Sequence, residues 1–250
     1  MAKTTKKEKN TRLKVSSQFV PGTKIDATTG NTLDIVALGF DAGELYGVDL
    51  ASRAFVRVET REHGQQSDHD DVSDRENEIR RHRLGGVYRL VVGQQEPIDA
   101  GRPEALWADE PMTRIGSVTR RGLRRLCSQV LFGEHPGSLI LGSRARSLSY
   151  ADLSSSNPSM MLIALGPKSC RIYAEGSGRT LLTFVWGGLE QSIVVRDPHL
   201  CAIVRAHQGQ SLQKEDLKRA LGFKIGFALF GYARVKDRYV EKVVISLLGD

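Results

Sequence analysis

The segment that decides the fold reads TLLTFVWGGLEQSIVV and covers residues 180–195. Two seven-residue runs rich in apolar side chains flank Gly187-Gly188, a pair that is typical of a tight hairpin turn. Similar runs precede this segment at 160–165 and 170–174, and glycine-containing turns separate them. Four short runs joined by such turns predict four strands in an antiparallel meander.

Strands are predicted on both sides of this meander. Residues 33–40 are apolar on both faces apart from Asp34, which is typical of a central strand. Residues 94–113 contain three prolines and are predicted to be irregular. The remaining predicted strands cover 13–19, 45–50, 54–59, 86–93, 138–141, 225–235 and 239–248, and the last two form a long hairpin.

Two helices interrupt the strands. The first is predicted at about 117–132, with Ser117 as its N-cap and Gly133 as its C-terminal stop. The second is predicted at about 212–221, with Ser211 as N-cap and Gly222 as stop. The core-facing side of the first helix is expected to consist of Leu123, Leu126, Cys127, Val130 and Leu131, which follow helical spacing. The predicted fold class is therefore α+β and β-rich, with an antiparallel sheet that is curved or a partly closed barrel, and about two helices.

Composition narrows the class of protein. The chain has 250 residues, 40% of them hydrophobic, which is enough to build a large core. Its apolar runs are too short to cross a bilayer, and its first residues do not follow the pattern of a secretory signal. The three cysteines are scattered along the chain, which favours free, mostly buried thiols over a disulfide framework. We therefore expect a cytoplasmic protein without a membrane partner.

Charge divides the chain into unequal parts. Residues 1–12 lack any hydrophobic period and predict a flexible basic tail. Residues 60–83 are almost entirely polar and predict a charged mobile excursion from a single β-rich domain covering 13–250. The alternative is that 60–83 links one unit at 13–59 to another at 84–250. Most of the net charge of +7 belongs to the start of the chain, where Glu8 alone opposes Lys3, Lys6, Lys7, Lys9, Arg12 and Lys14.

The first predicted helix carries arginines on the side away from its apolar stripe. These are Arg120, Arg121, Arg124 and Arg125, and Arg114 lies just before the helix. Guanidinium groups spaced i, i+4 can bind successive phosphates in a bidentate manner. The simpler interpretation is a solvated helix face that pairs with acidic loops. Together with the Lys-rich tail, this face predicts a non-catalytic module that binds an anionic partner, with nucleic acid as the first candidate.

Two other classes of function stay open. A small enzyme could place His69, His82 or His135 as acid–base groups where the charged excursion meets the sheet. A protein–protein scaffold could pair a partner with its edge strands or its C-terminal hairpin. No spacing predicts a metal site or a cofactor. The strand aromatics Phe55, Tyr88, Tyr173 and Tyr232 could stack on bases, although core packing is the simpler expectation.

Overall fold

The computed structural model describes residues 32–41, 43–60, 84–92, 104–108, 112–153, 158–166, 170–207, 210–234 and 238–250. Predictions for the basic tail, for a strand at 13–19 and for most of the charged segment 60–83 lie outside these residues. None of the helices described in these ranges has the length and apolar character needed to cross a membrane.

A first sheet contains six strands in the order β5-β3-β2-β1-β4-β6. Its strands are β1 (Thr32–Asp41), β2 (Glu44–Asp49), β3 (Phe55–Thr60), β4 (Gly86–Val91), β5 (Ala105–Ala108) and β6 (Thr113–Ser117). The central strand at 33–40 and the hairpin formed by β2 and β3 are confirmed. Strand β5 was not predicted. It lies in the segment 94–113, which was expected to be irregular, and it pairs with β3 in parallel.

A second sheet has eight strands, seven of them in the order β12-β9-β10-β11-β14-β13-β8, while β7 pairs only with β14. Its strands are β7 (Ser147–Ser149), β8 (Met160–Ala164), β9 (Arg171–Ala174), β10 (Thr180–Trp186), β11 (Leu189–Val195), β12 (Leu212–Gln213), β13 (Ile225–Arg234) and β14 (Tyr239–Gly249). The meander is confirmed for β9, β10 and β11. Strand β8 pairs with β13 and not with β9, so that part of the prediction was wrong.

Three helices lie within the described residues: α1 (Arg120–Gln129), α2 (Pro198–Ala206) and α3 (Lys214–Leu221). The first begins at the N-cap Thr119 rather than Ser117, and it ends at Val130, before Gly133. The second was not predicted; it is capped by the carboxylate of Asp197, which accepts from two backbone N–H groups. The third ends at Gly222 as predicted, with φ 73°, but its N-cap is Gln213 and not Ser211.

The predicted strand at 138–141 was wrong. Residues Ile140–Gly142 form a short 3₁₀ turn, in which Leu141 takes a positive φ of 50° and reverses the chain. The turn is held in place because the Tyr232 hydroxyl donates a hydrogen bond of 2.9 Å to the Leu141 carbonyl oxygen. A buried aromatic hydroxyl thus satisfies a backbone group that a sheet would otherwise have paired.

The two sheets and the helices form layers around buried clusters. One cluster lies between the second sheet and helices α2 and α3, where Phe184, Phe230 and Leu217 are buried. Another joins both sheets to α1, as Leu38, Leu229 and Leu126 illustrate. These contacts and the strand content confirm the α+β, β-rich fold class, and neither sheet closes on itself within the described residues. The proposal that 13–250 is a single domain stays a prediction.

Arg57 ties the two sheets together. Its side chain is 2% exposed, and its Nη1 donates to the main-chain oxygen of Tyr232 at 3.2 Å, from β3 to β13. The guanidinium also pairs with Glu44 and lies 5.0 Å from the centroid of the Tyr46 ring. A buried charge with these partners is compensated locally and serves the packing of the sheets.

Candidate anion-binding surfaces

The predicted arginine face of α1 exists and is exposed. Leu126 and Cys127 are buried on one side of the helix, while Arg120, Arg121, Arg124 and Arg125 are exposed. The first turn is held because the Thr119 hydroxyl accepts from the N–H of Gly122 at 3.1 Å. Arg114 is also exposed, on β6. The helical spacing in the sequence therefore predicted the exposure of the four helix arginines correctly, whereas their role in binding stays a prediction.

Asp250 occupies half of this face. Arg120 donates to its main-chain oxygen at 2.8 Å, and Arg124 pairs with its carboxylate at 2.9 Å. These two guanidinium groups sit at i and i+4, where the phosphate ladder was expected. Among the described residues, Arg120, Arg121 and Arg125 form no ion pair with a side-chain carboxylate, and Arg121 and Arg125 also lack the contact with Asp250. Phosphate binding by this face stays a prediction, and the nearby carboxylate of Asp250 is expected to weaken such binding.

A second basic surface arises where β14 changes partner. Along one edge, β14 pairs with β7 at residues 239–241 and with β11 only at Val194–Val243 and Val195–Val244. The rest of β11 diverges from β14, because β7 and the segment before it occupy that edge; the N–H of Lys242 donates to the carbonyl of Arg146. The divergence opens a cleft between β9, β10 and β11 on one side and residues 144–149 with the start of β14 on the other.

The cleft consists of two neighbouring recesses whose linings share Val194 and Glu241. One part encloses about 360 Å³ and the other about 900 Å³. Arginine and lysine side chains line both parts: Arg144, Arg146, Arg171, Arg179, Arg196, Arg205 and Lys242. The carboxylates in the lining are Glu190 and Glu241. The cleft is therefore strongly basic, and none of these cations belonged to the predicted site.

The two carboxylates are already paired. Arg171 contacts Glu190 at 3.2 Å, and Arg179 forms an ion pair with Glu241. For the other cations, no ion pair with a carboxylate is recorded among the described residues. Arg196 directly follows β11, and it interacts electrostatically with the carboxylate of Asp41 without forming an ion pair with it. An anion entering the cleft would thus meet cationic groups that no carboxylate neutralises directly.

Lys242 is the most buried of these cations. It is 4% exposed, and its ammonium group donates to the carbonyl oxygen of Ser143. Burial lowers the pKa of this amine from 10.5 to about 8, because the charged form is poorly solvated there. A bound anion would favour the charged form, so the occupancy of the cleft and the protonation of Lys242 are expected to be linked.

The strand aromatics separate into two groups. Phe55, Tyr88 and Tyr232 are at most 8% exposed, which confirms that they fill the core. Tyr173 is half-buried and lines the cleft, with the guanidinium of Arg171 5.6 Å from its ring centroid. Tyr239 was not predicted; it is 52% exposed and lines the larger part of the cleft. Sequence alternation such as Arg171-x-Tyr173 could have indicated a shared polar strand face.

The groups considered for catalysis contribute little to either surface. His69 and His82 lie outside the described residues, and His135 is exposed in a loop. None of the three cysteines forms a disulfide, and Cys127 and Cys170 are buried while Cys201 is half-buried, which agrees with the predicted mostly buried thiols. Burial raises the pKa of each thiol, that of Cys127 to about 12. Such thiols stay protonated at neutral pH and are poor nucleophiles. Within the described ranges, no group of three or more His, Cys, Asp or Glu residues could hold a metal ion.

Comparisons with known proteins leave the family open. No family model matches this chain, and no curated protein matches it. Among solved structures, the chain is weakly similar to one described as the tetrameric p202 HIN2, at 13% identity and a TM-score of 0.27. That alignment covers 87% of this chain and 95% of the other.

Proposed function

We propose that this chain is a non-catalytic module that binds nucleic acid as its anionic partner, and that the cleft beside β14 is its main contact surface. The observation that carries the proposal is the charge of the cleft lining, where seven cations face two carboxylates that are already paired. Arginine-rich recesses of this kind attract phosphate groups through charge-assisted hydrogen bonds.

A polyanion explains the arrangement better than a small anion does. Most of the net charge of the chain lies in the Lys-rich tail, so the remainder is close to neutral overall. A body that is close to neutral overall, but lines one cleft with five cations that have no carboxylate ion pair among the described residues, is matched to a ligand with repeated negative charges. A single small anion would need only one or two of them.

The basic tail and the arginine face of α1 have supporting parts in this proposal. The tail would add sequence-independent attraction through counterion release. Arg121 and Arg125, which lack the Asp250 contact, would extend the basic surface. Both contributions are separable from that of the cleft by substitution.

Binding of fluorescently labelled single-stranded RNA and duplex DNA tests the proposal by anisotropy across a salt series. We expect R144E/R146E to weaken binding of at least one of these nucleic acids more than tenfold. The matched control is Arg219→Glu, which reverses a charge that is 80% exposed on α3 and does not line the cleft. Equal affinities for the wild type and R144E/R146E, or binding that does not respond to salt, would refute the proposal.

A further inference from the structure

The cleft is a recess and not a projection. It lies between the diverging strands β11 and β14, with the loop at Arg144–Arg146 as one wall. Proteins that read duplex DNA insert a helix or a two-stranded ribbon into its grooves, which requires an element that protrudes. A recess instead admits a single strand, whose backbone and bases can both contact the walls.

Aromatic rings are interleaved with the cations. Tyr173 stands on β9 beside Arg171, and Tyr239 stands at the start of β14 near Arg179 and Arg205. Tyr239 is the only aromatic residue among the exposed large hydrophobic side chains of the described residues. An aromatic ring that stays half exposed offers a flat apolar surface on which an unpaired base can stack.

The ring of Tyr173 stands on a strand that is paired along both edges. Arg171, on the same strand, forms an exposed ion pair with Glu190 at 3.2 Å, and its guanidinium lies 5.6 Å from the centroid of the tyrosine ring. Strand β9 is itself held on both sides, by β10 and β12. A preorganised ring loses little conformational entropy when a base stacks on it, which favours binding.

We infer that the cleft binds single-stranded rather than duplex nucleic acid, with bases stacked on Tyr173 and Tyr239 and phosphates on the unpaired arginines. This inference rests on the proposed function and specifies its ligand. It also accounts for the paired carboxylates: Glu190 and Glu241 orient Arg171 and Arg179 beside the two rings, and phosphates occupy the cations that have no such partner.

The test compares labelled oligo(dT) with a duplex of the same length, using the full chain. We expect the single strand to bind at least tenfold more tightly than the duplex. Tyr173→Leu and Tyr239→Leu should each weaken oligo(dT) binding by about fivefold or more, since stacking on one ring is usually worth that much. Tyr173→Phe and Tyr239→Phe keep the ring and should bind as the wild type does.

Controls separate stacking from charge and from folding. Ile115→Ala alters an exposed apolar side chain on β6, outside the cleft, and should leave binding unchanged. Tyr239 is mostly exposed, so its replacement by Leu should fold normally, as circular dichroism would verify. A duplex that binds as tightly as oligo(dT), or Leu variants that bind oligo(dT) like wild type, would overturn the inference. If R144E/R146E still weakens duplex binding, the proposed function survives that failure.

Discussion

The salt dependence of binding can be calculated from the charges of the cleft. Arg144, Arg146, Arg196, Arg205 and Lys242 line it, and none of them forms an ion pair with a carboxylate in the part of the chain that the structure describes. Each phosphate that such a cation neutralises on a single strand contributes about −0.7 to the slope of log K against log salt concentration. Five contacts therefore predict a slope of about −3.5 from the cleft alone, and removing two of them predicts about −2.1.

The perturbation is the double substitution R144Q/R146Q, made in a chain whose tail lysines and arginine are also replaced by Gln. Neutralising the tail removes up to five further contacts, which would otherwise obscure the contribution of the cleft. Fluorescence anisotropy with labelled oligo(dT) between low and moderate salt gives the two slopes. Arg219→Gln on the same background is the matched control and should leave the slope unchanged.

The outcome distinguishes three arrangements. A slope that becomes shallower by about 1.4 in R144Q/R146Q supports phosphate contact by both arginines. A slope close to zero once the tail is neutral would mean that the tail alone attracts the nucleic acid, which refutes the role of the cleft. A steep slope that R144Q/R146Q leaves unchanged, but R121Q/R125Q reduces, would transfer the contact to the face of α1.

Three further predictions concern single side chains. Arg57→Met should lower the free energy of unfolding by about 3–5 kcal/mol, because it leaves the half-buried carboxylate of Glu44 without its cation; urea denaturation measures this, and R57M/E44Q should recover part of the loss. Burial chiefly raises the pKa of Asp41 to about 6, so the native state binds an extra proton between about pH 4 and 6 and stability falls as pH rises through that window. Asp41→Asn should therefore raise the melting temperature at pH 7.5 but not at pH 4. Finally, oligo(dA) affinity should fall between pH 7 and 9 as Lys242 loses its charge, and Lys242→Arg should abolish this fall; an equal fall in both proteins would contradict the role of Lys242.

Local patterns predicted the elements whose signal is contained in a few neighbouring residues. The hairpin of β13 and β14 and the apolar stripe of α1 are visible as periods of two and of 3.6 residues. The stop of α3 at Gly222 follows from one residue that tolerates a positive φ. Helix α2 was not predicted, although Asp197 followed by Pro198 is a strong start signal for a helix.

The cleft depends on pairings that no local pattern contains. Arg144 and Arg146 lie beside β11 and β14 because β7 and β11 pair with different parts of the same edge of β14. Strands β7 and β11 lie far apart in the sequence. The contact between Arg120 and Asp250 joins residues separated by 130 positions. Spacing correctly predicted which arginines are exposed on α1, but it could not predict that Asp250 would contact two of them.

The length of the cleft depends on how many residues of β11 pair with β14 before β14 changes partner. Val194–Val243 and Val195–Val244 are the two pairs that close β11 against β14. Each further pair between β11 and β14 would shorten the cleft by the rise of one strand residue, about 3.3 Å. Each pair lost would lengthen it by the same step. A change of this register would therefore lengthen or shorten the cleft in steps of one residue.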